Sequence, residues 1–317
     1  MKKIVVLGGG TGLSVLLRGL KQFPLDITAI VTVADDGSSS GRLREEFDIF
    51  AVGDLRNVLV SLSEVEPLIE DLLQYRFVTD SSLNNHPMGN LLLTALYNIT
   101  GNLTESLRSL SKIFNIKGTI LPFTEENPVL IAHTTDGKII EGESNITKAG
   151  KEIDYIEYKN EVKPTKEVIK AIDEADLIIF GIGSLYTSII PNLLSKEVVE
   201  SLKNSKAKKM YVCNIMSEHG ETDNYKVSDC IKKINSYVKE DLMDVVVVNN
   251  KKVPDDIKER YLGEIAGQID IDYDVLNDMN VEIIEDELLY IIEKKKVRHD
   301  PYRTALAIFN YIVKELK

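Results

Sequence analysis

The stretch VVLGGGTGLSVLLRGL, Val5 to Leu20, restricts the fold more than any other part of the chain. An apolar run ends at Gly8, glycines follow at Gly9, Gly10 and Gly12, and Leu13, Leu16, Leu17 and Leu20 then recur at helical spacing. A strand, a glycine turn and an amphipathic helix in that order predict the first β-α unit of a parallel sheet. ITAIVTV reads as a second strand. Asp54 is placed to cap a helix with Leu55, Val58, Leu59 and Leu62 on one face, and a further helix carries Leu92, Ala95, Leu96 and Ile99. The middle departs from this pattern. In PVLIAHTTDGKIIEGE, Asp136-Gly137 separates two strand-like runs as in a type I′ hairpin, which predicts antiparallel strands inserted over about 119–158. The α/β rhythm resumes with a helix over 165–175 and the strands DLIIFG, KMYVCN and DVVVVNN. Asp300-Pro301 reads as the N-cap and first residue of a closing helix that turns Leu306, Phe309, Val313 and Leu316 inward. No repeat or low-complexity linker divides the chain. One α/β domain over 1–317 is expected, with a mainly parallel sheet flanked by helices and an antiparallel hairpin insert.

With 317 residues, 44% of them hydrophobic, the chain can bury a full core. A formal net charge of −12 argues against a nucleic-acid partner, since phosphate backbones are held by clustered Lys and Arg. The short basic runs KNSKAKKMY and EKKKVRH read as solvated helix ends and loops. The apolar run after Met1 stops at Gly8, short of a secretory signal, and no later stretch is long and apolar enough to span a bilayer. A soluble cytoplasmic protein without a membrane partner is expected. Cys213 and Cys230 lack metal-ligand spacing, and Cys213 inside MYVCNIM reads as a buried, inert thiol.

The turn from Gly8 through Gly12 aims helix N-terminal amides at whatever lies above the sheet's carboxyl edge, so an anion belongs there. It is neither the G-x-G-x-x-G fingerprint, since Leu13 stands at the third glycine, nor a P-loop, since no Lys-Ser/Thr follows. VADDGSSSGRLREE, after the second strand, admits two readings. A carboxylate meets ribose hydroxyls, or Asp35 or Asp36 holds Mg²⁺ while Ser38, Ser39, Arg42 and neighbouring groups hold phosphate oxygens. GDLRNVL offers Asp54 and Asn57 at one helix start, and NNHPMGN offers His86 and Asn90 at another. His133, inside the hairpin, reads as structural. A second glycine turn follows DLIIFG, with Gly183 and Ser184, and CNIMSEHGETDNY places Asn214 directly after a strand. Two glycine turns in one sheet suggest a ligand with two ends, such as a nucleotide diphosphate joined to a second group. No motif of nucleophilic catalysis or of a zinc or calcium site is present.

Several of these motifs occur together and in order: GGGTGLSVLLRGLK, VTVADDGSSSGRLR, GDLRN, MGNLLL, GSLYTSIIPNLL, CNIMSEHGETD and RHDP. Over nearly its whole length the chain resembles the YvcK group of gluconeogenesis factors, which is similar to the CofD enzymes, the 2-phospho-L-lactate transferases of coenzyme F420 synthesis. The resemblance implies a Rossmann-like fold with its ligand at the glycine-rich edge. On the YvcK side it implies binding of UDP-sugars such as UDP-N-acetylglucosamine, and a role in cell-wall morphogenesis and gluconeogenic growth. On the CofD side it implies Mg²⁺-dependent transfer of a phospholactyl group from a guanosine diphosphate donor. Carried to this chain, Gly9, Gly10, Thr11 and Gly12 meet the nucleotide or its phosphates. Asp35 and Asp36 are the metal or acceptor contacts of a CofD-like reaction, Asp36 the metal ligand, and Tyr261 and Arg298 are candidate sugar-nucleotide contacts. Ile182 departs from the group, which has proline there, and leaves the second turn less rigid; the absence of the Gly-Pro-Ser-Asn-Pro of CofD enzymes favours the YvcK side. A regulatory nucleotide-sugar binder read by a cell-wall-related protein partner is therefore expected ahead of a transferase. Homo-oligomerisation is left open.

Overall fold

The computed structural model describes residues 1–64, 67–262, 266–293 and 296–316. Its strands, in chain order, are β1 (Lys2–Gly8), β2 (Leu25–Val31), β3 (Thr119–Pro122), β4 (Leu130–Thr134), β5 (Ile139–Glu141), β6 (Ile153–Tyr158), β7 (Leu177–Phe180), β8 (Lys208–Val212), β9 (Val245–Asn249), β10 (Glu282–Asp286), β11 (Leu289–Ile292) and β12 (Lys296–His299). Seven of them form one parallel sheet in the order β10-β9-β8-β7-β1-β2-β3. The chain builds outward from β1 through β2 to β3, then returns past β1 to lay down β7, β8, β9 and β10 on the other side. Strand order therefore reverses between β1 and β7, and in open α/β sheets a ligand crevice lies outside the carboxyl ends at such a point.

Both faces of the sheet are covered, which is why LIIF of β7 and VVVVN of β9 are apolar runs without alternation. Ile4 and Val6 pack beneath helices Gly10–Leu20, Gly53–Leu62 and Pro301–Glu315; Val5 and Leu7 point to helices Lys166–Asp173, Lys196–Asn204 and Val227–Val238. Leu13, Leu16, Leu17 and Leu20 are fully buried, as their spacing predicts. Thr165 caps the helix expected over 165–175, its hydroxyl accepting from Val168 N at 3.3 Å. Cys213 and Cys230 are buried and unbridged. His133 stacks on Tyr155 with ring centroids 4.2 Å apart and bonds Glu157 at 2.9 Å, a structural role. Among the described residues no helix is long and apolar enough to cross a membrane.

Three local expectations are corrected. The antiparallel insert begins at Leu130, with order β5-β4-β6, while Thr119–Pro122 joins the main sheet parallel to β2. The hairpin loop is not type I′, because Gly137 (φ +81°) has positive φ but Asp136 does not; Gly137 N instead closes a turn on Thr134 O at 2.9 Å, with the glycine as the left-handed residue that follows. In helix Met88–Thr100 and the closing helix only half of each expected stripe turns inward: Leu92, Leu96, Phe309 and Leu316 pack against the core, whereas Ala95, Ile99, Leu306 and Val313 are exposed. Leu306 is 46% and Ile99 78% exposed, while Ala305, Ile308 and Leu93 are buried. Close backbone contacts decide both. A Cβ on Gly19 would lie 1.8 Å from Pro301 O, and one on Gly89 would lie 2.8 Å from Leu73 O. Small residues are therefore turned toward the neighbour and some apolar side chains outward.

Asp300 caps the closing helix as its sequence predicts, accepting from Tyr302 N at 2.9 Å and Arg303 N at 3.0 Å. Asp300→Ala removes both bonds and is expected to cost about 1 kcal/mol. The measurement is a lower denaturant midpoint at unchanged m-value in urea unfolding.

Candidate functional site

A cavity of about 390 Å³ opens at the carboxyl edge of the sheet, over the seam between β1 and β7. Much of its wall comes from the segments that follow the strands. Gly10, Thr11 and Gly12 follow β1, Thr32 and Asp35 follow β2, Ile182, Gly183 and Ser184 follow β7, and Asn214 through Glu218 follow β8. The β11-β12 pair closes the far side with Val297, Arg298 and His299, and Asp54, Glu143, Thr187, Ser188 and Tyr261 also line it.

The two glycine turns are built against each other. Gly10 has φ +69° and only Ser188 Oγ within 4 Å of a Cβ position, so its open face belongs to the cavity. Gly12 is glycine for a different reason, because a Cβ there would meet Ile182 O at 2.5 Å. The first turn thus sits directly on the second. No side chain caps helix Gly10–Leu20; Gly10 N donates to Asp54 Oδ2 at 2.6 Å instead. Asp54 therefore does not serve as the cap of its own helix, whose N-cap position is Val52. Asn214 Nδ2 donates to Gly183 O at 2.8 Å and ties the third loop to the second turn. Tyr186, in a π-helical turn over Leu185–Ile189, donates its backbone N–H to Glu221 at 3.0 Å, which fixes how Ser184, Thr187 and Ser188 face the cavity.

Charge is distributed unevenly. Asp35, Asp54, Glu143 and Glu218 line the cavity, with Arg298 the single Lys or Arg among the described lining residues. Burial, followed by repulsion from Asp35, raises Asp54 to about 6 despite its bond to Gly10 N. Burial and the charges of Asp35, Asp54, Asp36 and Glu218 raise Glu143 to about 7. Glu218 is also raised by burial, against a hydrogen bond from Ser184 Oγ and the charge of Arg298. His299 Nε2 donates to the Cys213 carbonyl at 3.1 Å, and burial lowers its pKa to about 4, so it faces the cavity as a neutral ring. Tyr261 Oη accepts from Val297 N at 2.9 Å and holds the hairpin in place.

Of the residues singled out by sequence, Gly10, Thr11, Gly12, Asp35, Asp54, Gly183, Ser184, Asn214, Tyr261 and Arg298 meet in this lining. Gly8 and Gly9 lie beneath it. Asp36 faces away, its carboxylate accepting from Ser144 N at 2.8 Å at the start of helix Glu143–Ala149. Ser38, Ser39, Arg42, Asn57, His86 and Asn90 also lie outside the lining, gathered around the starts of neighbouring helices. Glu143 and Glu218 are site residues the sequence reading passed over. Glu218 lies inside the motif already singled out after β8, whereas nothing adjacent to Glu143 marks it.

The match to known proteins extends over most of the chain. Residues 4–289 match the family model described as 2-phospho-L-lactate transferase CofD. The gluconeogenesis factor of Bacillus subtilis is 47% identical over 304 residues, spanning 96% of each chain. This chain belongs to the gluconeogenesis factor family. The gluconeogenesis factor of Listeria monocytogenes is 42% identical, over 96% of this chain and 94% of its own. The crystal structure of protein BH3568 from Bacillus halodurans superimposes with a TM-score of 0.94 at 45% identity, covering 97% of this chain and 99% of that one. The Rossmann-like parallel sheet with its small antiparallel sheet is thus the fold of the gluconeogenesis factor family.

Proposed function

We propose that the cavity binds a nucleotide diphosphate compound, with a UDP-sugar as its ligand, and that the chain is a regulatory binder whose liganded form is read by a protein partner in cell-wall homeostasis during gluconeogenic growth. The observation that carries this reading is the placement of two facing glycine turns at the point where strand order reverses, each following one of the two central strands. The volume suits a ligand of that size. Arg298, at the far wall from the first turn's strand, supplies the charge for one end of a two-ended ligand.

A diphosphate cannot enter a cavity lined by four carboxylates and one arginine without protons or a cation beside it. Among the described residues no group of three or more His, Cys, Asp or Glu is placed to hold a metal ion. Mg²⁺ needs no such cage, since one or two carboxylates suffice when phosphate oxygens and water complete the shell. Asp35 and Asp54 are the residues that would hold it, and when bound it would neutralise phosphate charge. The acidic wall also favours a second reading, transfer of a phosphoryl-linked group from a nucleotide diphosphate donor. Released nucleotide diphosphate after incubation with donor and Mg²⁺ would support that reading.

Calorimetric titration with UDP-N-acetylglucosamine, with and without Mg²⁺, tests the proposal. Saturable heat is expected, and Arg298→Gln should weaken binding by roughly tenfold to a hundredfold, the loss of one charge-assisted contact. Absence of heat at high micromolar ligand would refute it.

A further inference from the structure

The side chains that the cavity leaves unused form a second cluster of their own. Helix Met88–Thr100 packs on both Ser38–Phe47 and Gly53–Leu62, and none of the three N-termini has a side-chain cap. Ser39 Oγ and His86 Nδ1 share a hydrogen bond at 2.8 Å, and Asn90 Nδ2 donates to Ser39 Oγ at 3.1 Å. All three residues are buried, as is Arg56 at 8% exposure. The Arg56 side chain runs past the start of the Met88 helix, where a Cβ on Gly89 would meet its Cγ at 2.8 Å. Its Nη2 donates to Asn57 Oδ1 at 2.6 Å, but its Nε is a buried donor without a partner, and Asn90 Oδ1, one residue on from Gly89, is a buried acceptor without one. Native proteins rarely leave such atoms unsatisfied unless a ligand, ion or water completes them.

Two further arginines lie near the cluster, one felt by Arg56 and both by His86. Arg42 donates to Asn84 O at 2.6 Å and Ser82 O at 3.2 Å, and Arg76 donates to Asn85 O at 2.8 Å. Both are exposed. Among the described residues none of Arg42, Arg56 and Arg76 forms an ion pair with a carboxylate, although Asp54 and Asp35 lie near enough to Arg56, and Glu46 near enough to His86, to be felt. Burial and the charge of Arg76 lower the proton affinity of Arg56; burial and Arg42 lower that of His86, with Arg76 adding to it. In a chain with a net charge of −12, the arginines thus gather at three uncapped helix starts without carboxylate partners.

We infer that this cluster is a second anion site, separate from the glycine-turn cavity, which takes the tetrahedral phosphoryl group of a small molecule or free phosphate. Arg56 supplies the buried guanidinium donor, Arg42 and Arg76 the solvent-exposed cations, and the helix N-termini the amide dipoles. A phosphate dianion matches three cations better than a single carboxylate does, and its protonated oxygen can donate to Asn90 Oδ1. The inference stands on these residues alone and does not require the cavity ligand proposed above.

The test is calorimetric titration of the full chain, at low salt, with inorganic phosphate and with glycerol 3-phosphate, using wild type, R42Q, R76Q and R298Q. Saturable binding of at least one probe is expected, weakened about tenfold or more in both R42Q and R76Q and changed less than about twofold in R298Q. Equal affinity for the two probes identifies free phosphate as the ligand, whereas tighter binding of the ester identifies a phosphorylated small molecule. The proposal is overturned if neither probe saturates, or if R298Q loses binding while R42Q and R76Q keep it, which would put the anion in the cavity. Arg42 and Arg76 are exposed, so either variant is expected to fold; circular dichroism midpoints check this.

Discussion

Gly19→Ala is expected to lower the melting temperature by roughly 6–12 °C. On an isolated helix the same change would stabilise by about 0.5–1 kcal/mol, because alanine loses less backbone entropy than glycine. Here the added methyl would sit 1.8 Å from Pro301 O and 2.8 Å from the Ala305 Cβ. Both obstacles belong to helix Pro301–Glu315, and one is backbone, so no side-chain rotation relieves the clash. The closing helix must move off Gly10–Leu20, at a cost of about 3 kcal/mol or more, the upper range for overpacking. At roughly 2–4 °C per kcal/mol for a large domain, that gives the stated shift. Gly267→Ala is the control: nothing lies within 4 Å of a Cβ there, and its φ is not positive. Equal melting temperatures for Gly19→Ala and wild type would mean that the two helices do not meet as described.

The unliganded protein should lose stability as pH rises from 6.5 to 8. Glu143 titrates at about 7 and the buried Glu221 at about 8, both well above the ordinary value of 4.5 that applies when the chain is unfolded. In this window the folded state therefore holds more protons than the unfolded state, and stability falls with rising pH. Asp54, at about 6, is already largely ionised there and adds little. Below pH 6.5 the slope is opposed by His299, whose folded pKa of about 4 means that the unfolded chain takes up a proton first. At about 1.4 kcal/mol per pH unit, discounted for the half-buried Glu143, the loss across the window is roughly 2–3 kcal/mol, or about 4–12 °C in melting temperature. Glu221→Gln preserves the acceptor for Tyr186 N and should flatten most of the slope. A wild-type profile without slope between pH 6.5 and 8 would exclude the raised pKa values of Glu143 and Glu221.

Much of the scaffold was legible because it is written in continuous segments. The apolar runs of β1, β7 and β9, the glycine turn after β1 and the Asp300-Pro301 helix start each specify a local conformation that the sheet then uses unchanged. Helix faces were less legible. The apolar stripes of Met88–Thr100 and Pro301–Glu315 are only half inward, because close contacts at Gly89 and Gly19 with chain distant in sequence turn each helix partly away from its stripe. The site shows the same division. Glycine, aspartate and asparagine at strand ends are recognisable from the strand that precedes them. Glu143 is not, since it reaches the cavity only because Asp36, far away in sequence, holds the helix that carries it through Ser144 N.

That tether has a practical corollary. The three-stranded insert is gripped on one side by the loop after β2, through Asp36 and Ser144, and on the other by the loop after β8, where Ile153 N donates to Gly220 O at 3.1 Å. It bridges two strands' worth of ligand-facing rim on opposite sides of the central seam, like a crosspiece screwed to both jambs of a door. Excising it to obtain a minimal core would leave both rims without their shared brace, so mutational dissection of this protein is better done one side chain at a time than by deletion.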